Sequence, residues 1–268
     1  MQDRVTLPQW LDNLIFEQLG AKYCRSNADM TVIDWDKNDV LNYLGTYFPR
    51  SYAESYCIFT EFFKNHKEIF ANKTELSVFD FGCGTGGEII GFLDAVHYLC
   101  NIQKVSINAF DGNYHALRLL EKVSHEFELR TSIEINLRVV PLKIDDFYDL
   151  SVLDRITKNK FDIILTFKAV CEFVTQERFE RNNAYTHIIN AFLPKLREDG
   201  VMVLADVTTY NNVSQEWLPI MMDSAINQTG CSVLGRNVGY NQTFVISHSS
   251  KMGDISKIAW RIIKNDTL

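Results

Sequence analysis

The stretch Ser77-Val-Phe-Asp80-Phe-Gly82-Cys83-Gly84-Thr-Gly86-Gly87 reads as a β-strand running into a sharp turn and then a helix. Glycines let a backbone turn tightly and come close to a ligand. Backbone N–H groups at the start of the following helix, Glu88-Ile-Ile-Gly-Phe-Leu93, favour a negative group. The string contains the dinucleotide pattern G-x-G-x-x-G at Gly82, Gly84 and Gly87. Asp80 argues against a pyrophosphate there, since a phosphate wants no negative neighbour. The same carboxylate suits a ligand that carries a positive ammonium or sulfonium.

S-adenosylmethionine (SAM) has both cations and no phosphate. Further acids recur at strand ends downstream. Val105-Ser-Ile-Asn-Ala-Phe110 is a second strand and ends in Asp111, thirty-one positions after Asp80. In a parallel sheet that tip faces the ribose edge of a nucleoside, and Gly112 keeps it narrow. Each charged hydrogen bond from a ribose hydroxyl contributes roughly 1.5–3 kcal/mol. A third strand within Ile133 to Ile144 is followed by Lys143-Ile-Asp145-Asp146-Phe147. Either Asp145 or Asp146 is placed to accept from an adenine amino group, with Phe147 near the ring. Phe161-Asp-Ile-Ile-Leu-Thr166 is a fourth strand, apolar enough to be covered on both faces. Phe167 and Lys168 follow it, where ligands sit in open α/β sheets.

Glycine turn, strand-tip acid and third-strand acid, in this order, resemble the class I SAM-dependent methyltransferase family over about residues 77 to 206. The resemblance implies an α/β fold: a three-layer Rossmann-like sandwich with a mostly parallel, seven-stranded sheet. It implies SAM as cofactor, with Asp80, Gly82, Cys83, Gly84 and Gly86 lining the methionine half. Asp111 and Gly112 would hold the ribose, Asp145 or Asp146 would read adenine, and Thr166 and Phe167 would close the site. A finer resemblance rests on Tyr47-Phe-Pro-Arg50-Ser-Tyr52-Ala53 and Thr166-Phe-Lys-Ala-Val-Cys-Glu172-Phe173. These look like the ribosomal small-subunit-associated methyltransferase-like family. The chain departs from that family in lacking clustered cysteines and in being acidic. An unidentified small-molecule or protein acceptor is therefore favoured over RNA or a ribosome. The alternative is a SAM-binding, ribosome- or RNA-associated methyltransferase-like protein, or a scaffold without catalysis.

Other residues carry fainter signals. Lys168 and Glu172 are the candidate catalytic groups, and Tyr47, Arg50 and Tyr52 the candidates for a lid or substrate contact. No Pro-Cys context surrounds Cys171, so it reads as core rather than nucleophile. The six cysteines form no C-x-x-C pair and the six histidines no i, i+4 pair, so no metal site is expected.

The remaining sequence frames this core. Residues 1–75 read as an N-terminal helical cap without strands, and 76–268 as the cofactor domain. Trp10, Leu11, Leu14, Ile15 and Leu19 recur at helical spacing. Pro49 followed by Ser51-Tyr-Ala-Glu54 predicts a helix start. Tyr185, Ile188, Ile189, Phe192, Leu193 and Leu196 mark a helix before a fifth strand, Val201-Met-Val-Leu-Ala205. Ser214 is expected to cap the next helix. The segments at Ser232, Thr243 and Ile258 compete for the last two strand places. With 268 residues, 46% apolar and a net charge of −7, the chain is a globular protein without a broad basic face for nucleic acid. No apolar run of membrane-spanning length and no export signal appear, so a cytoplasmic location is expected.

Overall fold

The computed structural model describes residues 3–24, 35–144, 146–174, 183–212 and 214–265. In chain order the elements are β1 (Asp3–Thr6), α1 (Gln9–Asp12), a π-helical turn (Asn13–Gln18), α2 (Lys37–Asn65), β2 (Glu75–Phe81) and α3 (Gly87–Leu99). Then come β3 (Lys104–Asp111), α4 (Tyr114–Glu128), β4 (Glu134–Pro141), α5 (Ser151–Ile156), β5 (Phe161–Phe167), α6 (Val170–Val174) and α7 (Ala184–Phe192). The chain ends with β6 (Leu196–Val207), β7 (Tyr210–Asn211), β8 (Glu216–Trp217), α8 (Leu218–Thr229), β9 (Ser232–Arg236), β10 (Gln242–His248) and β11 (Lys251–Lys264). The fold is mixed α/β, with a mostly parallel central sheet and helices on both of its sides. Among the described residues that sheet has nine strands rather than the expected seven. All three competing C-terminal segments are strands, and the N-terminal region, read as wholly helical, contributes β1. A four-residue strand is too short to show a period of two.

The chain divides into two units, each assembled from separate stretches. One comprises Leu76–Gly82, Ile144–Gln242 and Lys257–Leu268. Its spine is β2, β5 and β6 in parallel, with Asp80 opposite Leu165 and Phe167 opposite Ala205. Every residue of β5 is buried, which is why its sequence is apolar without alternation. β11 runs antiparallel to β6, pairing Ala259 with Asp206, and β9 antiparallel to β11. α7 buries Tyr185, Ile188, Ile189 and Phe192, but the helix ends short of the expected face: Leu193 lies in a 3₁₀ turn and Leu196 opens β6. α8 begins later than expected. Trp217 precedes it and Pro219 sits in its first turn, while Ser214 lies in the β7–β8 turn.

The other unit comprises Met1–Glu75, Cys83–Lys143 and Thr243–Ser256. β1 lies parallel to β10, from Asp3 opposite Phe244 to Thr6 opposite Ser247. β3 lies parallel to β4, from Lys104 opposite Glu134 to Asp111 opposite Pro141. α2 corrects the expected helix start at Ser51. It begins at Lys37, behind a reciprocal capping box between Asp36 and Asp39, and runs through Pro49. A mid-helix proline costs about 3 kcal/mol or more, and α2 offsets this by burial. Phe48, Tyr52, Phe59, Phe62 and Phe63 are all at or below 5% exposure.

α3 packs on α2 at backbone distance, and glycine makes this geometry necessary. A Cβ on Gly87 would stand 2.5 Å from the Phe48 carbonyl oxygen, and one on Gly91 2.3 Å from that of Tyr52. Both pairs are four residues apart, one helical turn on each helix. The Ser55 hydroxyl adds a 2.7 Å bond to the Glu88 carbonyl.

Candidate functional site

The turn after β2 takes its shape from three glycines in the left-handed region. Gly82, Gly84 and Gly86 have φ of 75°, 48° and 79°. L side chains avoid these values, so the spacing of the glycines follows from backbone sterics. The Cys83 amide donates to the Phe110 carbonyl at 2.9 Å, and the Gly86 amide donates to the Cys83 carbonyl at 2.7 Å. Leu120 of α4 fills the place where a Cβ on Gly86 would go, with its Cδ1 2.2 Å away. Cys83 is buried.

Asp111, at the tip of β3, faces this turn. One carboxylate oxygen accepts from the Gly84 amide at 2.8 Å and the other from the Asn113 amide at 2.7 Å. Burial raises the pKa of the Asp111 carboxyl, and the two amide bonds pull it back only in part. A carboxylate has about four acceptor sites. Two amides therefore orient Asp111 and leave each oxygen able to accept once more. The N-cap of α4 is Asn113, whose side-chain oxygen takes the Ala116 amide at 3.0 Å. Asp111 itself is thus not the cap.

A wall of aromatic side chains borders the same turn. The Tyr43 ring, on α2, comes within 3.4 Å of where a Cβ on Gly84 would stand. Tyr47 stacks on Tyr43 at 5.0 Å between centroids, and Trp35 meets it edge-on at 5.5 Å. The Asn113 side-chain amide donates to the Trp35 carbonyl at 3.2 Å, which ties the wall to the residue that orients Asp111. All three rings are half-buried.

The other lid candidates serve the interior. Arg50 binds Asp254 through two nitrogens at 2.7 and 2.9 Å, and Tyr23 completes that cluster. Burial opposes the charge on Asp254, yet the Arg50 guanidinium holds its carboxyl below the usual range. The Tyr52 hydroxyl donates to Asp94 at 2.5 Å, and burial pushes its pKa upward.

In the unit built on β2, β5 and β6, Asp80 is fully buried on β2. Ala169 comes so close to Gly82 that a Cβ there would meet the Ala169 methyl at 2.6 Å. Thr166 and Phe167 are buried in β5, and the Thr166 hydroxyl donates to the Val203 carbonyl at 3.3 Å. Lys168 has φ 55°, a left-handed conformation unusual for a side-chain-bearing residue, and its amide donates to the Ala205 carbonyl. Glu172 is half-buried on α6. Asp206, one residue past Ala205, accepts from the Cys171 amide at 3.1 Å and the Tyr185 hydroxyl at 2.9 Å. Burial pushes Asp206 up to about 7, against the pull of these donors and of the Lys168 charge. Burial likewise raises the Cys171 thiol, which is therefore a poor nucleophile.

Asp145 lies outside the described residues. Asp146 is exposed and accepts from the Tyr148 amide at 2.9 Å, a local turn. Phe147, expected beside the adenine ring, is a core residue instead: it is 1% exposed and packs on Phe173 at 4.5 Å. Gly112 forms the bend between β3 and α4. Sequence reasoning missed Asp206, Tyr185, Tyr43 and Trp35. The rule that singled out Asp111, an acid closing an apolar strand, finds Asp206 after Val201-Met-Val-Leu-Ala205 as well. Tyr185 reads from the sequence only as part of an apolar helix face, and nothing in the sequence marks Tyr43 and Trp35. Among the described residues no cluster of His, Cys, Asp and Glu suits a metal ion, and no helix is long and apolar enough to cross a membrane.

No family model matches the chain, and no curated protein does. Similar solved structures include magnesium protoporphyrin IX methyltransferase from Synechocystis PCC 6803 with bound SAH, at 9% identity and a TM-score of 0.49, over 95% of this chain and 93% of that one. Another is a SAM-dependent methyltransferase from Aquifex aeolicus, at 11% identity and 0.46, over 86% of this chain and all of that one. A third, from Listeria monocytogenes and described as a class I SAM-dependent methyltransferase, has 10% identity and a TM-score of 0.45 over 80% of this chain. The chain spans 61% of the Listeria protein's length.

Proposed function

We propose that this chain is a SAM-dependent methyltransferase that acts on a small-molecule or protein acceptor. The observation that carries the reading is the Asp111 carboxylate, held by the Gly84 and Asn113 amides over a turn of left-handed glycines. Both ribose hydroxyls of a nucleoside have an acceptor there. Asp80, Gly82 and the residues after β5 belong to the same reading, with residues 1–75 as cap and 76–268 as cofactor domain. The Asp80 carboxylate, on the strand that leads into the glycine turn, favours the cationic SAM over a nicotinamide dinucleotide, whose pyrophosphate wants no negative neighbour.

SAM supplies a methyl group that is already activated by the sulfonium. The protein is left with alignment, which contributes on the order of 7–11 kcal/mol to such transfers. Asp111 orients the nucleoside through its ribose. The buried Asp206–Tyr185–Cys171 network fixes the turn that carries Lys168. A net charge of −7 favours a neutral or basic acceptor over naked nucleic acid.

Isothermal calorimetry with SAM and S-adenosylhomocysteine (SAH) tests the assignment. Wild type is expected to bind both. Absence of binding, or affinity unchanged in both Asp80→Ala and Asp111→Ala, overturns it.

A further inference from the structure

We infer that the aromatic wall of Trp35, Tyr43 and Tyr47 reads the charge on the ligand's sulfur, so that the protein holds the sulfonium SAM in preference to the neutral SAH. The inference rests on the SAM reading above and goes beyond it. The cofactor assignment says which molecule binds, whereas the wall says which form of it binds better.

Three observations carry it. First, the wall is placed at the turn. Tyr43 approaches the Cβ position of Gly84 to 3.4 Å through its Cε1 and its hydroxyl, while the Gly84 amide holds Asp111. A ligand whose ribose is taken by Asp111 and whose methionine half follows the glycine turn has its sulfur between those ends. Second, the wall is built rather than incidental. Tyr43 and Tyr47 are one helical turn apart on α2 and stack, Trp35 closes on Tyr43 from just before the helix, and Asn113 pins the Trp35 backbone. Third, the three rings are half-buried, whereas Phe48, Tyr52, Phe59 and Phe63 of the same helix are sealed in the core. The helix thus presents one aromatic face to the interior and a second one at the turn.

Ring faces carry negative potential and attract a cation within about 6 Å. Methyl transfer removes that cation: the S–CH₃ bond electrons stay on sulfur, the methyl goes to the acceptor, and sulfur becomes a neutral thioether. A wall that grips only the charged form loosens when the product forms, without any movement of the protein. Asp111 contacts a ribose common to both forms and cannot make this distinction.

The test is calorimetric titration of the full chain with SAM and, separately, with SAH. Tyr43→Leu is expected to weaken SAM by about 3- to 30-fold and to leave SAH nearly unchanged. Tyr43→Phe, which keeps the ring, is expected to keep the wild-type ratio. Tyr43→Met serves as the second ring-free variant should Tyr43→Leu fail to fold. Equal losses for SAM and SAH, or no loss for SAM, overturn the charge-reading role while leaving the cofactor assignment standing. Failure of wild type to bind either ligand overturns the cofactor assignment itself.

Discussion

Asp111 and Asp206 are both aspartates at the ends of β3 and β6, and their surroundings give them opposite occupations. Asp111 meets two backbone amides, one on each oxygen, and is half-buried. Asp206 meets an amide and a tyrosine hydroxyl on a single oxygen and is 1% exposed. Backbone amides come from a rigid turn and spare the remaining acceptor sites of Asp111 for a ligand. Asp206 is enclosed by side chains from α6 and α7, and burial lifts its pKa to about 7. A strand-tip acid is therefore open to a ligand only when its orienting donors leave it an open side.

The largest expected effect separates the two by stability. Asp206→Ala leaves the Tyr185 hydroxyl and the Cys171 amide buried without their acceptor, at roughly 1–3 kcal/mol each. Urea unfolding should show a loss near the upper end of that range, with SAM binding retained by the folded protein. Asp111→Ala should behave the other way. SAM affinity should fall about 10- to 100-fold by calorimetry, from losing charged hydrogen bonds worth roughly 1.5–3 kcal/mol, with a smaller change in unfolding. A variant at Asp206 that abolished SAM binding while folding normally would collapse the comparison.

Acidity sharpens it further. Asp206 keeps its proton in the folded chain up to about 7, whereas its ordinary value is 3.8. The folded state therefore binds more protons than the unfolded state in that window. Its stabilising contribution is complete below 3.8 and is lost as pH rises through about 7. Asp111 shifts in the same direction. Stability measured from pH 4 to 7 should fall by up to about 1.4 kcal/mol per unit from the Asp206 site, and Asp206→Asn should flatten that slope. The smallest effect is expected at the turn. Gly84→Ala forces an alanine into the left-handed region, at about 1 kcal/mol, and sets a methyl against Tyr43. A modest drop in thermal midpoint, together with weaker SAM binding, would confirm that the turn and the wall are one construction.

β2 and β5 were legible because burial on two faces writes apolar runs, β3 because burial of alternate residues writes a period of two, and the turn because φ > 0 writes glycine. Asp111 was legible as the acid that closes β3. The start of α2 was not. Pro49 and Ser51-Tyr-Ala-Glu54 have the local signature of a helix beginning. Tertiary burial of Tyr52, Ala53 and Glu54 within the helix outweighs it. Gly87 also had a second meaning. It completes a dinucleotide pattern by spacing, yet its work in the fold is to admit the α2 backbone. Tyr43 and Trp35 escaped notice because their importance comes from what α2 lies against, which no periodicity records.

The pairing of β1 with β10 has a consequence for how the protein is made. The unit that holds Gly84, Gly86 and Asp111 takes its last segment from Thr243–Ser256. That segment carries Asp254, the partner of Arg50, and the residues that pair with Asp3 to Thr6. On the ribosome the early helices must wait, with β1 unpaired and Arg50 lacking its counter-ion, until residues 243–256 have emerged. Contacts this distant in sequence slow folding. The nascent chain thus passes through a long interval in which its start and its aromatic helix are exposed, and there a chaperone would have most to protect.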